Sequence, residues 1–214
     1  MIRGDAPVDF RLYLITDRGQ TAGRDLLAVV EEALSGGVRA VQLREKALPA
    51  REYFGLARVM RTLTARYGAR LLINDRIDIA LAVGADGVHL PEAGLSATVA
   101  RELLGPTKLI GVSCHSLDKA FDAERQGADF ITFGPVYSTP SKAEFGDPVG
   151  VAPVAEAVRS LSLPIFALGG VTRDRVPELR ASGILRFALI SAILAAPSPG
   201  TEAEAFTTLL DKVT

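Results

Sequence analysis

The chain is poor in the features that would place it in several common classes. Cysteine occurs once, as Cys114, which excludes a disulfide framework and a cysteine-based zinc site. An excess of one charge is also missing: 24 Lys and Arg stand against 25 Asp and Glu, for a formal net charge of −1. Without a global field, neither nucleic acid nor an anionic membrane is an expected partner, and any anion site must be built locally. No long apolar stretch follows a basic start at the N-terminus. Neither a secretion signal nor a spanning helix is therefore expected, and the expected location is the cytoplasm. The first strand candidate lacks a glycine-rich fingerprint behind it, which argues against a doubly wound dinucleotide-binding sheet.

What is present is a regular alternation. Apolar residues make up 48% of the chain, enough for a large core. They fall in short runs near 11–16, 39–43, 70–73, 86–90, 108–112, 129–133, 164–168 and 186–190. Each run is rich in Leu, Ile, Val or Phe, as strands buried on both faces are. Helical patterning lies between them. Leu26, Leu27, Val30 and Leu34 share a helical face, and Gly36-Gly37 supplies a stop. Pro49 suits the first turn of the next helix and Gly68 its C-terminal end. A weak echo of small residues with Gly recurs before the second, fourth, sixth and eighth strands, twice as Gly-Ala-Asp, at 84–86 and 127–129. The expectation is a single domain over 1–214 with the α/β fold of a (β/α)8 TIM barrel, whose strand ends share one face. Exposed apolar faces cannot be told from barrel-wall helices in such a pattern, so a homo-oligomer stays open.

The chemically able residues sit just after these strands, where barrel active sites are found. Gln42, Arg44 and Lys46 alternate as the chain leaves the second strand, so an extended path points all three the same way. An amide and two cations suit a polyanion. Asn74-Asp75 ends the third strand, and Asp75 is either a Mg2+ ligand or a cap for the next helix. His89 and His115 are the only histidines. Two of them make a weak zinc argument, but His115, beside Ser113, can act as general acid or base. Cys114 reads as a small core residue. Between the sixth strand and its helix runs a long connection over 134–150, a candidate ligand clamp carrying Thr139, Ser141 and Lys142. Gly169-Gly170 and Ile190-Ser191 end the last two strands, the usual place for a backbone phosphate site in barrels.

These residues stand within QLREK (42–46), INDR (73–76), ADGVHL (85–90), GVSCHS (111–116), FGPVYSTPSK (133–142), ALGGVT (167–172) and LISAIL (189–194). Together they resemble the thiamine phosphate synthase and TenI superfamily over nearly the whole chain. The resemblance implies an enzyme of thiamine biosynthesis, a transferase that joins a pyrimidine methyl pyrophosphate to a thiazole phosphate and releases pyrophosphate. By matching position, Gln42, Arg44, Lys46, Asn74 and Lys142 would hold the pyrophosphate and Asp75 its Mg2+. Ser113 would lie near the pyrimidine. Thr139, Ser141, Gly169, Gly170, Ile190 and Ser191 would surround the thiazole phosphate. One departure is Gly94, which stands where the synthases carry a second Mg2+-binding aspartate, with Pro91 ahead of it and Glu92 as a substitute ligand. That stretch is closer to the TenI branch, for which the implied reaction is metal-free tautomerisation of a thiazole carboxylate phosphate with His115 as acid–base group. A non-catalytic regulator that binds a phosphorylated ligand is a third, minor reading.

Overall fold

The computed structural model describes residues 8–138 and 147–211. Its strands are β1 (Leu12–Ile15), β2 (Ala40–Leu43), β3 (Arg70–Asn74), β4 (Gly87–Leu90), β5 (Leu109–Cys114), β6 (Phe130–Phe133), β7 (Ile165–Leu168) and β8 (Phe187–Leu189). They pair in chain order, all parallel, and β8 closes on β1 with Leu12 opposite Phe187. All eight expected strands are thus present in a closed (β/α)8 barrel. The helices are α1 (Leu26–Ser35), α2 (Ala50–Arg66), α3 (Ile77–Ala82), α4 (Ala97–Leu104), α5 (Leu117–Arg125), α6 (Val151–Ser160), α7 (Val176–Ala181), α8 (Ser191–Leu194) and α9 (Pro199–Asp211).

Period-2 alternation divides each strand between two cores. Outward residues such as Leu14, Val41, Leu71, Val88 and Ile131 pack against the helices in one continuous layer. Inward residues fill the lumen: Phe10, Tyr13, Leu72, Leu109, Phe130 and Phe166 form a separate cluster. Phe10 meets Phe130 edge-on at 5.7 Å between ring centroids, and Tyr13 meets Phe130 edge-on at 5.5 Å, the arrangement that aromatic quadrupoles favour. This plug closes the barrel at its N-terminal end, so the polar inward residues above it face an open mouth.

Local chemistry sets the helix ends. Asp25 caps α1 by accepting from the Ala28 N–H at 2.9 Å, and Gly36 with left-handed Gly37 (φ +104°) ends it. Pro49 is the N-cap of α2, one residue before the first turn where the pattern placed it, and Gly68 follows the C-cap Tyr67. The Gly-Ala-Asp echo has a shared structural cause. Asp86 accepts from the Leu71 N–H of β3 at 2.7 Å and pairs with Arg61 of α2. Asp129 accepts from the Ile110 N–H of β5 at 2.7 Å and pairs with Arg101 of α4 at 2.6 Å. Each aspartate pins the start of the preceding strand to the helix before that strand's turn. The last βα unit departs from simple alternation: Pro197 and Pro199 cannot continue α8, and a second helix, α9, starts at Pro199 and packs on α1.

Candidate active site

The barrel mouth holds a cavity of ≈ 560 Å³ whose walls include Gln42, Arg44, Lys46, Asn74, His89, Glu92, Ser113, His115 and Thr132. Strand alternation puts them there. Gln42 and Arg44 leave β2 on the inward side, and Thr16 Oγ1, wholly buried after β1, takes the Arg44 backbone N–H at 2.9 Å and holds its path. Among the described residues neither Arg44 nor Lys46 forms an ion pair. Two uncompensated cations beside an amide make the cavity attractive to a polyanion.

A second cavity of ≈ 190 Å³ opens beside the first, lined by Gly169, Gly170, Val171, Thr172, Ile190, Ser191 and Ala192. Gln20, His115, Gly134, Leu168 and Ile190 line both. Gly169 (φ +99°) and Gly170 (φ +65°) turn the backbone away from β7 in left-handed conformations. A side chain at Gly170 would meet Tyr137 Cβ at 2.7 Å. Arg175 locks this turn, donating to the Gly170 carbonyl at 2.6 Å with its guanidinium 4.2 Å from the Tyr137 ring centre. The flanks of the long connection are stitched to the same turn: Val136 N–H donates to Leu168 O at 2.8 Å, and Tyr137 N–H to Gly169 O at 3.1 Å. Thr139, Ser141 and Lys142 lie outside the described residues.

Asp75 lies elsewhere than the main cavity. It lines an adjoining pocket of ≈ 360 Å³ with Glu45, Tyr53 and Arg76, joined to the large cavity through Lys46, Asn74 and Pro91. The capping alternative is not realised: Arg76 is the N-cap of α3, no side chain caps that end, and Asp75 is exposed in a left-handed conformation at φ +62°. Glu92 lines the main cavity and not the pocket of Asp75. One Glu92 oxygen takes both the His115 backbone N–H at 2.8 Å and His115 Nδ1 at 2.9 Å. Residues 91–94 form a tight turn, with Gly94 N–H on Pro91 O at 2.9 Å, and a Cβ at Gly94 would sit 2.9 Å from the Pro91 ring. That turn has no ready space for an aspartate. Among the described residues no group of three or more His, Cys, Asp or Glu side chains converges as a metal site. One exposed carboxylate still suits Mg2+, which keeps several waters and takes further oxygens from a phosphorylated substrate.

Two residues singled out in the sequence prove to be interior. Cys114 is buried in the outer core, its thiol pushed up to about 12 by burial. His89 is buried at the cavity floor, and burial, with Arg44 next, pulls its pKa down to about 3. Sequence reasoning missed Tyr13, Gln20, Thr132 and Arg175. Tyr13 carried a signal, a polar tip at an inward position of an aliphatic strand; the other three carried none.

The chain is similar to proteins already known. The thiamine monophosphate synthase family pattern matches residues 12–193. A Geobacter sulfurreducens protein is 63% identical over 205 residues, covering 96% of each chain. The thiamine-phosphate synthase of Clostridium novyi is 41% identical over 87% of this chain and 92% of its own. Among solved structures, the thiamine phosphate pyrophosphorylase of Pyrococcus furiosus superposes with a TM-score of 0.86 at 35% identity, covering 94% of this chain and 96% of that one. The match spans the cationic cavity, the glycine turn and every strand between them, and the chain belongs to the thiamine monophosphate synthase family.

Proposed function

We propose that this protein is a thiamine-phosphate synthase, an alkyl transferase that couples hydroxymethylpyrimidine pyrophosphate to thiazole phosphate. The observation that carries this reading is the joining of two anion-suited cavities through a common wall of Gln20, His115, Gly134, Leu168 and Ile190. Arg44 and Lys46, which form no ion pair among the described residues, are suited with Asn74 to hold the pyrophosphate, whereas Gln42 gives its amide nitrogen to Tyr13. The turns at Gly169-Gly170 and Ile190-Ser191 are suited to hold the thiazole phosphate. The long loop would add Lys142 to the first anion and Thr139 and Ser141 to the second. Bound in this way, the thiazole nitrogen faces the pyrimidine methylene.

The chemistry is then one of charge and position. As the methylene C–O bond breaks, both electrons leave with pyrophosphate, and Arg44, Lys46 and Lys142 stabilise that growing charge. The positive charge left on the methylene is shared with the pyrimidine ring beside Ser113. The thiazole nitrogen supplies the electron pair for the new C–N bond, and holding both partners in one enclosed space replaces a bimolecular encounter. Asp75 is the residue suited to hold Mg2+, which when bound would add positive charge at the pyrophosphate. The reading carries with it one domain over the whole chain, small phosphorylated substrates and work in the cytoplasm.

One observation favours a second reading. The Glu92–His115 pair fixes an imidazole on the wall between the cavities, and the tight turn at Pro91–Gly94 offers no second aspartate to a metal. That arrangement suits a thiazole tautomerase with His115 as acid–base group. A product assay with both synthase substrates, with and without Mg2+, decides between them. Magnesium-dependent thiamine phosphate that is lost in Asp75→Ala is the expected result. Metal-independent interconversion of thiazole carboxylate tautomers, with no coupled product, would overturn the proposal.

A further inference from the structure

Along the cavity floor runs a chain of polar side chains that crosses the barrel lumen. Gln42 Nε2 donates to the Tyr13 hydroxyl at 3.1 Å. That hydroxyl lies 3.4 Å from His89 Nδ1. On the far side of the ring, His89 Nε2 lies 3.1 Å from Ser113 Oγ and 3.3 Å from Thr132 Oγ1. Tyr13, Gln42, His89 and Thr132 are all buried, where the low local dielectric strengthens such bonds. Gly111 exists in this form to admit the ring: a Cβ there would lie 2.6 Å from His89 Nδ1.

The chain has a direction. An amide nitrogen only donates, so the Tyr13 oxygen accepts from Gln42 and its own proton is turned to His89 Nδ1. A neutral imidazole carries one ring proton, and with Nδ1 accepting, that proton is on Nε2. Burial and the nearby Arg44 charge keep the ring in this neutral form. Of the two hydroxyls facing that proton, Ser113 Oγ is the nearer acceptor, at 3.1 Å against 3.3 Å for Thr132 Oγ1, and the Ser113 hydroxyl proton is left for the cavity. At the other end, Gln42 has committed its nitrogen to Tyr13, which leaves its amide oxygen for the cavity. Gln42 and Ser113 both line that cavity.

We propose that Tyr13 and His89 form a buried relay that fixes Gln42 as an acceptor and Ser113 as a donor toward the substrate. The floor then selects a heterocycle that offers an N–H beside an unprotonated ring nitrogen, the amidine edge of an aminopyrimidine. The inference rests on the synthase reading and deepens it. An acceptor on the exocyclic amine also pushes electron density into the ring that must carry positive charge when pyrophosphate departs. Tyr13 and His89 touch no substrate; they are positioning residues.

The test compares two unreactive ligands by titration calorimetry: the aminopyrimidine methyl monophosphate and its oxo counterpart, in which the amine is a carbonyl and the adjacent ring nitrogen is protonated. Inorganic pyrophosphate is the control for the cationic wall. Wild type should prefer the amino ligand by roughly tenfold or more, about the worth of one mismatched buried hydrogen bond. Tyr13→Phe keeps the ring packing and cuts the relay, so that preference should fall about tenfold while pyrophosphate affinity stays unchanged. A variant that retains the wild-type preference would overturn the proposal.

A second measurement needs neither a variant at Tyr13 nor a ligand. The chain has 2 histidines, so a two-bond 1H–15N spectrum assigned with His115→Ala resolves the His89 ring. The Nε2–H tautomer is expected, and the Nδ1–H tautomer overturns the relay whatever the protein binds. Pyrophosphate binding with neither pyrimidine bound, alongside the Nε2–H tautomer, would instead overturn the synthase reading and the selectivity built on it.

Discussion

Acidification should weaken the fold through His89 in a measurable way. In the folded protein this ring takes a proton only near pH 3, against an ordinary value of 6.5, because burial penalises the imidazolium and the Arg44 charge repels it. The unfolded chain therefore binds the extra proton between these two values. Stability from this residue is fully present above pH 6.5, and falls as pH drops toward 3. The linkage relation gives a slope of about 1.4 kcal/mol per pH unit in that window, and a loss of about 3 kcal/mol between pH 7 and pH 4. Urea unfolding of wild type and His89→Gln across this range isolates the effect, because carboxylate contributions cancel in the difference. Wild type should lose its advantage over the variant steadily below pH 6.5. A difference that stays constant from pH 7 to pH 4 would show that His89 is solvated or charged in the native state, and the reasoning from burial would fail.

Gly111→Ala should lower the melting temperature by roughly 4–8 °C, the effect of about 2 kcal/mol of overpacking against His89 and Phe130 in a chain of this size; an unchanged melting curve would mean that the lumen yields more easily than its packing indicates. Asp129→Ala removes the Arg101 counter-charge and the acceptor of the Ile110 N–H between α4 and β5, leaving Arg101 only its carbonyl partners Gly105 and Lys108, so chemical denaturation should show a loss of about 3 kcal/mol. Arg44→Lys keeps the charge and loses the two-pronged grip on a phosphate, so kcat/KM for the pyrophosphate substrate should fall roughly 10–100-fold with folding intact. Glu92→Gln should leave the Mg2+ concentration for half-maximal activity within about twofold of wild type, since Glu92 is engaged by His115; a large increase would return Glu92 to the metal site.

The barrel was legible because its two periodicities are local. Runs such as Leu71-Leu72-Ile73 and Phe130-Ile131-Thr132-Phe133 read as buried strands without reference to the rest of the chain. The spacing of Gln42, Arg44 and Lys46 likewise told that they would share a face, and all three line one cavity. What failed to show was contact between elements. Asp75 reads equally well as a cap or a ligand in its tripeptide, and its exclusion from both the cap and the main cavity follows from its left-handed backbone. Glu92 reads as a spare carboxylate until β4 and β5 lie side by side and bring His115 to it.

The amino-acid sequence by itself determined the eightfold alternation, the strand-end placement of the polar residues and the family, because strand burial, helix periodicity and motif order are properties of short segments. Only the tertiary structure decided which of those polar residues meet. Tyr13 and His89 are 76 residues apart in the chain, and their bond exists because closure of β8 on β1 turns inward positions of distant strands into neighbours across one lumen. Direction of hydrogen bonding, the neutrality of His89 and the division of the mouth into joined cavities all depend on that closure, since each is set by what surrounds a side chain in space.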